Sequence, residues 1–162
     1  MKKVIFPGTF DPPTLGHLDI IRRAVEIFDH VYIAVGSNIR KKETAFSVEE
    51  RIEFLKILTK DISNIEVVSF NGLLVDFANQ LKVDIVLRSI RNVSDFDYEN
   101  LQSQMNRQLG NVETIYMVAD EKYRLISSTL IREIAYYGKR LHAFVPAEIE
   151  DLIFSRLYTP SN

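Results

Sequence analysis

The sequence predicts an α/β domain built on a five-stranded parallel sheet with helices on both faces. Three observations predict it. Short apolar runs alternate with helical patterns at least four times along the chain, the pattern of a parallel sheet. Val31-Tyr32-Ile33-Ala34-Val35 is continuously apolar, as expected of a strand buried on both faces. A Gly- and Pro-rich loop, Phe6 to His17, lies between the first strand and the first helical pattern. Right-handed crossovers are expected, with the dinucleotide-binding (Rossmann-like) order 3-2-1-4-5. The elements after Ser127 form a C-terminal helical extension.

The first strand is expected at about Lys3–Phe6. The first helix covers about Thr14–Phe28, because Leu18, Ile21, Val25 and Phe28 recur at spacings of three and four. Thr14 or a neighbour caps it. The second strand is Val31–Val35, followed by a polar loop, Gly36–Ala45, that carries Arg40, Lys41 and Lys42. Ser47-Val48-Glu49-Glu50 is a capping-box pattern, and Ile52, Leu55 and Leu58 continue that helix. The third strand is Ile65–Phe70. Asn71-Gly72 is a turn and Leu73–Leu81 a short helix. The fourth strand is Asp84–Leu87, ending at Arg88, so that Arg88-Ser89-Ile90-Arg91 forms the loop after it. A helix over about Ser94–Leu109 is expected to stop at Gly110. The fifth strand is about Glu113–Val118. One helix starts near Ser127 or Ser128 and ends by Gly138, and Val145-Pro146 opens the last.

The chain has 162 residues, 46% hydrophobic and 26% charged, with a formal net charge of −2 and no cysteine. This suits one domain, residues 1–162, with a real core. The charge gives no global field for nucleic acid. The lack of cysteine excludes disulfides and thiolate metal sites and fits a cytoplasmic protein. Met1-Lys2-Lys3 runs directly into a strand, so no signal peptide is read there. No apolar run approaches the roughly 20 residues of a membrane span. The patterns GxGxxG and GxxxxGK[ST] are absent, which disfavours dehydrogenases and P-loop kinases. No His/Asp/Glu cluster has zincin spacing, and His30 and His142 read as structural or exposed.

Function gathers at the strand ends. The loop Phe6–His17 sits where free backbone N–H groups and the positive end of a helix dipole converge, an arrangement that binds phosphate. Gly8 lets a backbone come close to a ligand or take an unusual φ. His17 falls in the first helical turn. In a 3-2-1-4-5 sheet, ligands bind where the order reverses, between the first and fourth strands. The first loop, with Thr9 and His17, would there meet Arg88 and Arg91. Arginine suits bidentate phosphate recognition. Ser127-Ser128-Thr129 before a helix is a cap whose N–H groups and hydroxyls can also hold phosphates.

These strings carry a resemblance. Thr14-Leu15-Gly16-His17, within Phe6-Pro7-Gly8-Thr9-Phe10-Asp11-Pro12-Pro13, resembles the T/H-x-G-H signature of the nucleotidylyltransferase superfamily. The run Arg88 to Glu99 resembles R-G-L-R-x-x-x-D-F-E-Y-E of the phosphopantetheine adenylyltransferases, with Ser89 where that family commonly has glycine. Phe46–Arg51 is similar to its F-T-x-E-E-R. Gly72–Ala78, Met105-Asn106-Arg107, Ile126–Glu133 and Phe144-Val145-Pro146 are similar to further family runs. Tyr123 stands where a tryptophan is common, and an aromatic face is kept.

The resemblance implies adenylyl transfer from ATP to 4′-phosphopantetheine, giving dephospho-coenzyme A and pyrophosphate in coenzyme A synthesis. It implies His17, Lys41 and Arg91 as catalytic residues. ATP would meet Thr9, Phe10, His17, Ser89, Ile90, Arg91, Glu99, Tyr123, Ile126, Ser127, Ser128 and Thr129. Phosphopantetheine would meet Thr9, Lys41, Leu74 and Arg88. Lys41 is chosen over Lys42 by counting from the second strand. No protein metal ligand is expected; Mg²⁺ would be held mainly by ATP oxygens and water. A homohexamer and feedback binding of coenzyme A are likewise implied. Two other readings stay open at this stage: a nucleotidylyltransferase with an acceptor such as nicotinate mononucleotide or a phosphocholine-like compound, and a non-catalytic nucleotide-binding module.

Overall fold

The computed structural model describes residues 1–37 and 43–158. Its elements are β1 (Lys3–Gly8), α1 (Leu15–Ile27), β2 (His30–Gly36), α2 (Val48–Thr59), β3 (Ile65–Phe70), α3 (Leu74–Leu81), β4 (Ile85–Ile90), α4 (Val93–Gly110), β5 (Glu113–Val118), α5 (Ser128–Tyr136) and α6 (Ala147–Leu157). The five strands form one sheet in the order β3-β2-β1-β4-β5, and every pairing is parallel.

Alternation along β1 shows why both faces are covered. Val4 and Phe6 pack with Ile20, Ile21 and Ala24 of α1 and Leu55 of α2. Ile5, on the opposite face, packs with Val75 and Ala78 of α3. Successive side chains of a strand point to opposite faces, so a continuous apolar run needs a helical layer on each side. A third cluster joins Phe46 and Phe54 to Ile131, Ala135, Ile149 and Ile153. It fastens the C-terminal helices α5 and α6 to α2.

β1 runs on past Phe6 to Gly8, which pairs with Val35 of β2, so Pro7 and Gly8 are strand and not loop; three further differences concern β4 and α4. β4 runs on to Ile90 because β5 pairs with it through Ile90 and Val118, and Ala119 donates its N–H to the Ile90 carbonyl at 2.9 Å. Arg88 and Ser89 therefore lie on the sheet and not in a loop, and only Arg91 falls beyond it. α4 starts at Val93, since the Asn92 side chain accepts the Asp95 N–H at 2.8 Å. Gly110 does not stop α4. It is the last helical residue, and a Cβ there would come within 3.0 Å of the Val75 Cβ on α3. The stop is Asn111, in the left-handed region at φ 54°.

The sheet opens at the carboxyl end between β1 and β4. Pro7 has no N–H to give a neighbouring strand. Its carbonyl is taken by Arg88 Nη1 from β4 at 2.9 Å. A side chain thus replaces a ladder bond at the point where the strand order reverses.

Candidate active site

Two cavities open at this crevice. The larger, about 620 Å³, is lined by residues of the loop after β1, by Arg88, Ser89, Arg91, Asp95 and Glu99, and by Tyr123 through Thr129 in part. The smaller, about 350 Å³, is lined by Leu73, Leu74, Tyr98, Met105 and Asn106 among others. Pro7, Gly8, Thr9, Arg88 and Glu99 line both, so these residues form a shared wall.

The loop after β1 is held by contacts within the chain. Phe10 takes a left-handed φ of 51°, a conformation uncommon for a residue with a side chain. Its ring is buried and meets the His17 ring edge-on, with centroids 4.9 Å apart. Gly8 is required by that ring, because a Cβ on Gly8 would lie 2.8 Å from Phe10 Cε2; its φ is not in the left-handed region. The buried Asp11 carboxylate accepts the Ala45 and Phe46 N–H groups, each at 2.9 Å. This pins the end of the loop after β2 to the loop after β1.

His17 has a defined tautomer. Thr14 caps α1, accepting the His17 N–H on its hydroxyl at 3.2 Å. The Thr14 N–H donates to His17 Nδ1 at 3.0 Å. Nδ1 is therefore an acceptor, and the proton of the neutral ring sits on Nε2. Burial, and secondarily the positive charge of Arg91, pull the imidazole down from its ordinary 6.5 to about 4. Near pH 7, without ligand, the ring is a neutral donor at a helix N-terminus.

The arginines are held by partners. Arg88 makes a two-pronged pair with Glu99, Nε to Oε2 at 2.6 Å and Nη2 to Oε1 at 2.5 Å. The Glu99 carboxylate, expected on the nucleotide side, is thus bonded to Arg88 on the shared wall. Arg91 is oriented by Asp95, which accepts its Nε at 3.0 Å, and by the Ile126 carbonyl, which accepts Nη1 at 3.0 Å. Arg124 answers from the other segment, donating Nε to the Arg91 carbonyl at 3.1 Å. Ser127 caps α5 through the Leu130 N–H at 3.1 Å, and Ser128 Oγ donates to the Pro12 carbonyl at 2.8 Å. The N-terminus of α5 is thereby set against the first loop, facing the same cavity as that of α1.

Thr9, Phe10, His17, Ser89, Arg91, Glu99, Tyr123, Ile126, Ser127, Ser128 and Thr129 all line the larger cavity. Leu74 lines the smaller and Arg88 lines both. Ile90 is not among the lining residues; its carbonyl is used in the sheet edge. Lys41 lies outside the described residues.

Among polar residues to which the sequence gives no role, Asp11, Asp95 and Arg132 line the larger cavity, and Arg51 lines neither cavity but bonds the Thr9 carbonyl. Arg132 Nη1 donates to the Asp11 carbonyl at 2.5 Å and lies 3.6 Å from Asp11 Oδ2, which brings another cation to the larger cavity. Arg51 was readable. It falls on the same face of α2 as the buried Phe54 and Leu55, and a cation on an apolar face signals a specific partner.

A cytidylyltransferase-like family model matches residues 5–134. The chain is 46% identical over 157 residues to the phosphopantetheine adenylyltransferase of Moorella thermoacetica, covering 96% of this chain and 98% of that protein. It is 45% identical over 151 residues to that of Thermobifida fusca, covering 93% and 92%. It is 46% identical over 154 residues to that of Clostridium perfringens, covering 94% and 93%. The crevice, the two cavities with their shared wall and these likenesses agree, and the chain belongs to the phosphopantetheine adenylyltransferase family of cytidylyltransferase-like proteins.

Proposed function

We propose that this chain transfers the adenylyl group of ATP to 4′-phosphopantetheine, giving dephospho-coenzyme A and pyrophosphate, reversibly. The observation that carries this reading is the pair of cavities sharing the wall Pro7-Gly8-Thr9, Arg88 and Glu99. A direct transfer needs two anionic ligands to meet at such a wall. The larger cavity, faced by the N-termini of α1 and α5, suits a nucleotide triphosphate. The smaller has apolar lining at Leu73, Leu74 and Met105, which suits the pantetheine arm.

The nucleophile is an oxygen of the acceptor phosphate. A phosphate monoester, with its second pKa near about 6, is mostly dianionic at neutral pH, so no general base is needed. The oxygen attacks the α-phosphorus, a new O–P bond forms, and the bond to the β-phosphate oxygen breaks to release pyrophosphate. The protein's part is positioning and charge stabilisation. His17 donates Nε2–H to the α-phosphate. Arg91 holds ATP phosphate, and Arg88 the acceptor phosphate, with Thr9 between them. Lys41 is assigned to the acceptor phosphate as well. Tyr123 packs against the adenine side, and Ser127, Ser128 and Thr129 hold the phosphates.

Asp11 and Glu99 are engaged by cationic side chains or N–H groups, and no group of three or more metal-ligating side chains occurs among the described residues. Mg²⁺ would enter with ATP, held by its oxygens and water, and would supply charge screening for the β- and γ-phosphates.

Feedback binding of coenzyme A, a homohexamer and a cytoplasmic setting belong to the same reading. Leu101, Met105 and Leu109 are exposed along α4 at spacings of four, which supports self-association. None of the helices among the described residues is long and apolar enough to cross a membrane. The net charge of −2 favours no nucleic acid.

The test is pyrophosphate release from ATP and Mg²⁺ with 4′-phosphopantetheine, with pantetheine, and with neither. Release with the phosphorylated acceptor alone is expected. Release with none of them would turn the search to other phosphorylated acceptors or to a non-catalytic nucleotide-binding role.

A further inference from the structure

Arg51 is buried, at 2% exposure, and burial pulls its guanidinium below the ordinary arginine value while Asp11 and Glu49 oppose the shift. A buried cation is usually bonded to a carboxylate. Arg51 instead spends its hydrogen bonds on main-chain carbonyls. Nη1 donates to Thr9 at 2.6 Å and to Gly36 at 3.2 Å. Nε donates to Phe46 at 3.1 Å and to Ser47 at 3.2 Å. One side chain thus fastens the loop after β1, the end of β2 and the entry to α2.

The shortest of these bonds falls at the most consequential place. Thr9 is exposed and lines both cavities. Its carbonyl belongs to the peptide plane that leads into Phe10, whose φ is 51°. A residue in that conformation persists only where its surroundings fix it. The Arg51 bond fixes the orientation of that plane, and with it the bearing of Thr9.

Resting on adenylyl transfer as the reaction, we propose that Arg51 is a positioning residue for it, holding Thr9 on the wall between nucleotide and acceptor through the Thr9 carbonyl. Arg51 touches neither ligand. Its loss should therefore appear mainly in turnover, with no larger effect on nucleotide affinity than Thr9→Ala has, and should depend on Thr9 being there to position.

The experiment is a double-mutant cycle of Arg51→Met with Thr9→Ala. It reads kcat, KM for both substrates, ATP affinity by calorimetry, and fold by thermal melting. Arg51→Met is expected to lower kcat about tenfold or more while ATP affinity falls no further than in Thr9→Ala. In the Thr9→Ala background the same substitution should cost less than about threefold. Equal losses in both backgrounds, or a loss of ATP affinity larger than that of Thr9→Ala, overturn the proposal. If Arg51→Met does not fold, Arg51→Lys, which keeps the charge and can reach fewer carbonyls, carries the same cycle and the same two outcomes. Wild-type turnover separates the claims. Its absence ends the adenylyl-transfer reading on which this rests, whereas turnover with additive losses overturns the Arg51 assignment alone.

Discussion

A single main-chain N–H decides what His17 can do. Because Thr14 N–H occupies Nδ1, the proton of the neutral ring must sit on Nε2, and the ring is a donor of fixed direction for the proposed reaction. Removing one preorganised donor to developing charge typically costs about a hundredfold to a thousandfold in turnover. His17→Ala should therefore fold, bind ATP and lose about a hundredfold in kcat; unchanged turnover would remove His17 from its role. The same burial makes a pH prediction. With a folded value of about 4 against an ordinary 6.5, the unfolded chain takes up this proton first as pH falls. The contribution is thus intact above about 6.5 and is lost as pH falls toward 4. By pH 5 one such group removes about 2 kcal/mol of stability. Urea unfolding of wild type and His17→Gln at pH 7 and pH 5 tests it: wild type should lose about 2 kcal/mol more than the variant between the two.

Helix ends carry much of the site. Capping patterns were legible for α1, α2 and α5, because a hydroxyl three residues before the N–H it accepts is a local relation that sequence displays. The end of α4 was not. Gly110 reads as a stop, yet it is small because α3 passes close to it, and closeness between two helices is not written in either one alone. α3 shows the converse. It ends at Lys82 with φ 54°, although glycine is the usual residue for a left-handed cap. Lys82 is exposed, and a left-handed backbone costs a residue with a side chain roughly 1–2 kcal/mol. Lys82→Gly should raise stability by about 0.5–1 kcal/mol once the greater freedom of glycine in the unfolded chain is set against that relief. Chemical denaturation would show the gain directly, and activity should not change, since Lys82 lines neither cavity.

For the whole molecule, strand order was readable because alternation and handedness leave few topologies, and that order alone brought the loop after β1 to the end of β4. What the order does not convey is which partner each side chain finds. Glu99 meets Arg88, Arg51 meets the carbonyl of Thr9, and Asp11 meets the loop before α2, all through contacts distant in sequence. Association belongs to this scale too. Leu101, Met105 and Leu109 are 62%, 51% and 59% exposed and share a stripe on α4. Apolar stripes of this kind on a single chain mark a surface that another protein covers. Six copies of an 18.7 kDa chain should sediment together in analytical ultracentrifugation. Leu101 lines neither cavity, so Leu101→Glu should reduce the assembly to smaller species without altering the monomer fold seen by circular dichroism. A wild-type chain that sediments as a monomer would end the hexamer reading. A Leu101→Glu variant that stays hexameric would move the interface off this stripe. Met105 and Leu109 also line the smaller cavity, so if that cavity takes the acceptor as proposed, KM for phosphopantetheine should rise more than KM for ATP in the smaller species, because the cavity's outer wall would lose its cover.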